Sequence, residues 1–189
     1  MKLKFIYTVD SELKIVEEKI RARDFLLKNN YEVGMPKGYT LNSKDFSKVR
    51  EQIEKEYDEE KMEGARKYIS NKWHKYEIEL DNFLGKIPYK VPNTLLITLS
   101  QYGGGSYWVP NRIDVNVNHK NLFSGIFHEL IHLIIEEPVI EKFKISHWDK
   151  ESLVDYFFVN DKNLKKVFPD YECEGEPASK ELLKKVGWI

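Results

Sequence analysis

One segment constrains this chain more than any other. Residues 121–137 place Leu122, Phe123, Ile126, Phe127, Leu130, Ile131, Leu133, Ile134 and Ile135 around nearly the whole circumference of a predicted helix, with His128, Glu129 and His132 set among them. A helix that is apolar on all sides belongs in a core. Unpaired ionisable groups are costly there, so the fold must bring them partners. Four residues make about one helical turn, so His128 and His132 share a face and their rings can reach one ion. Glu129 lies one position on, beside such an ion, where it can take a proton from an activated water. The rival account is a pair of hydrogen-bonded core histidines with Glu129 as counter-ion.

A metal needs a third protein ligand, and position sorts the acidic residues. Glu136 continues the row at i+8 from His128, but its Cα lies about 12 Å along the axis, too far to converge. Glu151 lies 19 residues after His132, early on a second predicted helix, with Asp155 four residues further on the same face. Glu151 can bind the metal while Asp155 reaches an imidazole N–H of a ligating histidine, fixing its orientation. Alone, this pair would read as the solvated face of a surface helix. His147 stands as a rival third ligand. Cys173 is a weaker one, and as the single cysteine it excludes a multi-cysteine zinc site and an intrachain disulfide.

His128-Glu129-x-x-His132 followed by Glu151-x-x-x-Asp155 resembles the zinc-binding core of the gluzincins, the thermolysin-like metallopeptidases, over residues 94–158. The resemblance implies one zinc ion per chain on His128, His132 and Glu151, Glu129 as general base, and Asp155 matching the family's aspartate. It also implies that an extended peptide or protein substrate pairs with an edge strand, for which Gly105, Ser106, Tyr107 and Trp108 are the candidates. The metzincin pattern, with Gly at 135 and His at 138, is absent, since Ile135 and Pro138 stand there. The chain is far shorter than thermolysin, and no segment of it can be matched to the helical domain that carries that enzyme's second catalytic histidine. His147, Tyr156 and Tyr171 are the nearest candidate transition-state donors. The first 90 residues lie outside the resemblance.

The expected architecture is α+β and mainly helical, a single domain over 1–189. A small mixed sheet packs on the buried motif helix and the Glu-bearing helix after it. Residues 1–91 form a helical N-terminal region and 92–189 a zinc-peptidase-like region. Alternation predicts strands within 2–9, 94–99, 107–109 and 113–117. Asp10 or Ser11 should cap a helix reaching about Lys28, and a loop should follow through Gly34, Pro36 and Gly38. One or two amphipathic helices should span 43–80, broken at Gly64. Pro138 should end the apolar helix. Ser146 should cap a helix over 148–158, and short helices should occupy 161–168 and 177–186.

Lys and Arg number 30 against 31 for Asp and Glu, a balance that argues against nucleic acid as the main partner. No apolar run approaches the ~20 residues of a membrane span. The N-terminal apolar stretch is too short for a signal peptide, so a cytoplasmic protein is expected. The functional expectation is a zinc-dependent metallopeptidase. The alternative is a zinc-binding regulatory or protein-interaction module whose long amphipathic helix meets the partner. A purely structural site normally has four protein ligands and needs no base beside it.

Overall fold

The computed structural model describes residues 1–189. Four short strands form one mixed sheet in the order β1-β2-β4-β3. β1 (Lys2–Ile6) and β4 (Arg112–Asn116) both run parallel to β2 (Thr94–Ser100), and β3 (Ser106–Trp108) closes the far edge antiparallel to β4. β2 is an interior strand, and Leu95, Ile97 and Leu99 are fully buried along it. The near-continuous apolar run in its sequence is what a parallel strand covered on both faces requires. The first strand of the N-terminal region is therefore woven into the same sheet as the motif region.

Nine α-helices surround the sheet, so the fold is α+β and mainly helical. α1 (Val9–Arg21) and α2 (Arg23–Lys28) precede a long loop, which α3 (Val49–Glu56), α4 (Glu59–Lys75) and α5 (Glu77–Leu84) follow. α6 (Leu122–Ile135) carries the motif, and α7 (His147–Asn160), α8 (Lys162–Val167) and α9 (Lys180–Lys185) complete the chain. The main core joins Ile97, Ile113 and Val115 of the sheet to Ile126, Phe127, Leu130 and Ile131 of α6 and to Leu153 and Val154 of α7. A smaller cluster of Val16, Val49, Ile53 and Tyr102 ties α1 and α3 to the chain leaving β2. No helix is long and apolar enough to cross a membrane.

Several boundaries differ from the sequence expectation. Thr8, not Asp10 or Ser11, caps α1, through a reciprocal pair of bonds with Ser11. The helix then breaks at Ala22, a residue whose own preference is helical. Through 43–80 the chain breaks at Tyr57-Asp58 and at Tyr76, while Gly64 lies inside α4. Asp58 decides the first break, because its carboxylate accepts from the Lys61 N–H at 2.9 Å and starts a new helix. Pro138 does not end the motif helix either. After Ile135 the winding loosens into a π-helical segment, Glu136–Glu141, that takes the proline within it.

Glu12 is a strained feature of the N-terminal packing. It is fully buried on α1, and one oxygen accepts the Gln101 N–H at 2.8 Å while the other has no partner. Burial pushes its carboxyl up to about 7. An acid raised in the folded state binds its proton more tightly there than in the unfolded chain, so stability falls as pH rises from about 4.5 to 7. The cost above pH 7 is on the order of 3 kcal/mol. Glu12→Gln keeps the carbonyl acceptor but leaves one polar group unpaired. It should stabilise the protein by about 1–2 kcal/mol at pH 8 and change little at pH 4, as thermal melts would read.

Candidate metal centre

The spacing within α6 and the cap on α7 build this site. His128 and His132 leave α6 on one face, and both rings are buried. Ser146 accepts the Asp149 N–H and starts α7 there, which sets Glu151 one turn into the helix and against the two imidazoles. The His128 and His132 Nε2 atoms lie 2.8 Å apart. Glu151 Oε2 lies 3.1 Å from the first and 2.9 Å from the second. The three groups could hold a metal ion together.

The chemistry of this donor set fits a cation. Two imidazole nitrogens and a carboxylate oxygen converge on one buried point, and protons cannot satisfy all three lone pairs there. Without a metal, burial opposes charge on His128, but its bond to Glu151 and the carboxylates around it prevail and lift it to about 9. Burial takes His132 down to about 3. Burial would raise Glu151, yet the two imidazoles hold it well below the usual carboxylate range.

Behind His128 stands a short relay. Its Nδ1 lies 2.8 Å from the Tyr171 hydroxyl, which donates to Asp155 Oδ1 at 2.6 Å. Asp155 Oδ2 accepts the Gly175 N–H at 2.7 Å. Because the hydroxyl proton goes to Asp155, its oxygen accepts from His128 Nδ1–H, and Nε2 is turned toward the trio. Asp155 therefore acts on the imidazole through Tyr171 rather than directly, as sequence spacing had suggested. Tyr171 lies on the far side of His128 from the trio, which removes it as a transition-state donor. Tyr156 packs on Phe157 and Trp188 and does not line the site, so it drops out as well. Of the three donor candidates, only His147 lines the cavity.

That cavity measures about 500 Å³ and opens onto all three ligands. Gly105, Ser106, Tyr107 and Trp108 form one wall, and α1, α2 and Tyr31 form another. β3 is an edge strand, in keeping with the position proposed for it. Tyr107 lies face to face with the His132 ring at 5.2 Å and 14°. Its hydroxyl donates to Glu136 and accepts from Lys150 Nζ at 3.0 Å. Glu136, too distant along α6 to ligate, is thus occupied elsewhere. Cys173 is exposed and is not one of the converging groups.

Glu129 reaches the cavity beside the trio and accepts no hydrogen bond from the protein. Burial, with the nearby Glu151, pushes its carboxyl up to about 7. Gly105 explains how the carboxylate fits under the strand. A Cβ at Gly105 would lie 2.1 Å from Glu129 Oε1, so only glycine allows this approach.

Sequence reasoning did not find Tyr31 or Lys150 as members of the site, and it placed Tyr107 on the edge strand without its stacking on His132. Lys150 adjoins Glu151, so it carried a signal of place. Tyr31 carried none. No protein-family model, curated protein or solved structure matches the chain.

Proposed function

We propose that this protein is a zinc-dependent metallopeptidase of compact, gluzincin-like form, with Glu129 as general base. The observation that carries the reading is an unpartnered carboxylate facing a cavity beside three buried ligand atoms. Two imidazoles and one carboxylate, with a side left open to the cavity, are the ligand set of catalytic zinc rather than of structural zinc. A zinc ion held by His128, His132 and Glu151 would supply a Lewis acid that acidifies water and polarises a carbonyl.

The chain's own residues account for the rest. Glu129 takes the proton of the attacking water and hands it to the leaving amine. Tyr171 and Asp155 keep His128 turned with Nε2 toward the ligand cluster. Tyr107 holds the plane of His132. The free edge of β3 offers backbone donors and acceptors to an extended peptide, and Gly104 and Gly105 let that peptide come close.

A peptide-library digest tests the reading. Zinc-loaded protein should cleave a subset of peptides, chelator treatment should stop the cleavage, and added zinc should restore it. A zinc-loaded chain that cuts nothing in a broad library would leave a metal-binding module instead.

A further inference from the structure

Glu151 has two carboxylate oxygens, and the ligand cluster uses one. Oε2 faces the two imidazoles, while Oε1 accepts no hydrogen bond and faces His147 Nδ1 at 3.6 Å. That distance is an electrostatic contact rather than a hydrogen bond. His147 is the first residue of α7, one turn before Glu151, so the helix itself does little to fix its ring. Residues far away in sequence hold it. The Tyr31 hydroxyl lies 2.6 Å from His147 Nε2, and Phe25 meets the ring edge-on at 5.3 Å.

We propose that Tyr31 and His147 are positioning residues for Glu151, so that the segment between α2 and α3 is part of the metal centre. The inference rests on the metal-binding half of the proposed function and does not depend on peptide cleavage. The proton order follows from the partners. With a carboxylate oxygen opposite Nδ1, the proton of the neutral ring belongs on Nδ1, and Nε2 accepts from Tyr31. The sequence of groups is Tyr31 O–H to Nε2, then Nδ1–H toward Oε1. A carboxylate restrained at one oxygen presents the other alone, which favours one-oxygen ligation over two.

Tyr31 itself is pinned on both sides. Its N–H donates to the Leu26 carbonyl at 3.0 Å. Three residues on, Gly34 and Gly103 exchange two backbone hydrogen bonds of 3.1 and 2.8 Å. A Cβ at Gly34 would come within 2.9 Å of Asn116 Nδ2, which in turn donates to the Gly103 carbonyl at 3.0 Å. The segment is thus fastened to the chain just before β3, and its tyrosine reaches the other side of the cavity.

Zinc affinity of the full chain, read by competition with a chromophoric chelator, tests this. Such partners are worth about 10–100-fold in metal affinity, so His147→Leu should lose about that factor. Tyr31→Phe, which removes one oxygen atom, should weaken zinc binding several-fold and alter the visible absorption of the cobalt(II)-loaded protein. His147→Asn places an amide N–H near the position of Nδ1 and should recover most of the loss. Should His147→Leu fail to fold by circular dichroism, Tyr31→Phe decides the matter. Variants that bind zinc as tightly as the wild type, with an unchanged cobalt spectrum, would overturn the inference while leaving the metal centre in place. A wild-type chain that takes up no zinc would overturn both. A chain that binds zinc, weakens in these variants and cuts no peptide would support the inference and sink the peptidase reading alone.

Discussion

Glu151→Ala is expected to take the protein from about one bound zinc per chain to almost none. The variant removes the only anionic ligand atom from a cluster whose other two members are neutral when they ligate. It also removes the group that keeps the two Nε2 atoms company at 2.8 Å. Elemental analysis of the purified proteins gives the first readout. Thermal melts give the second. A thousandfold excess of zinc over Kd should stabilise the wild type by about 4 kcal/mol, or about 8–16 °C in Tm for a chain of this size. The variant should show no such shift. Its metal-free form should also be more sensitive to acid. Two buried imidazoles without their counter-ion resist protonation, so their folded pKa values fall below the unfolded value. Stability is then lost as pH drops through about 6.5. The metal-free wild type, with Glu151 paired to His128, should keep more of its stability at pH 5. Zinc that survives Glu151→Ala with unchanged affinity would move the third ligand to His147 and undo the ligand assignment.

The parts of this site that could be read from sequence are the ones set by local geometry. His128 and His132 share a face because the helix has a fixed period, and the apolar flanks of α6 place that face in the core. Glu151 follows from a cap at Ser146, which is a short-range signal. Asp155 lies on the same face as Glu151 for the same reason. What spacing could not supply is the hydroxyl between Asp155 and His128. Tyr171 arrives there because the chain after α8 folds back over α7, and no local pattern encodes that return. Tyr31 belongs to the same class. Its place opposite His147 follows the break at Ala22 and the Gly34–Gly103 pairing, a contact between residues far apart in sequence. The π-helical turn after Ile135 fails as an expectation in the opposite direction. Proline is a strong local breaker, but the buried ring of apolar residues around it, Val139 and Ile140 included, keeps the chain winding.

Glu129→Gln should lower kcat/KM for a cleaved peptide by about 10²–10⁴-fold, the usual contribution of a positioned general base, and leave zinc content unchanged. The pairing of those two results matters more than either. Glutamine has the shape of glutamate, and Glu129 accepts no protein hydrogen bond, so the substitution costs the fold nothing that the structure identifies. It removes the ability to take a proton. The metal-free carboxyl sits at about 7, and a cation alongside favours its charged form, so the acid limb of the rate profile should fall below pH 7. In the variant that limb should vanish from whatever activity remains. Gly105→Ala makes an independent check on the same carboxylate from across the cavity. Its methyl would fall 2.1 Å from Oε1, and the carboxylate must swing aside to admit it. Turnover should drop while zinc, held by residues of α6 and α7, stays bound. If Glu129→Gln turned over at the wild-type rate, the base would have to be another group. Lys150 would be the cavity residue to test, and the peptidase mechanism assigned to this helix would no longer stand. If both Glu129→Gln and Gly105→Ala lost zinc together with activity, Glu129 would belong to the ligand cluster and the three-ligand site would need redrawing.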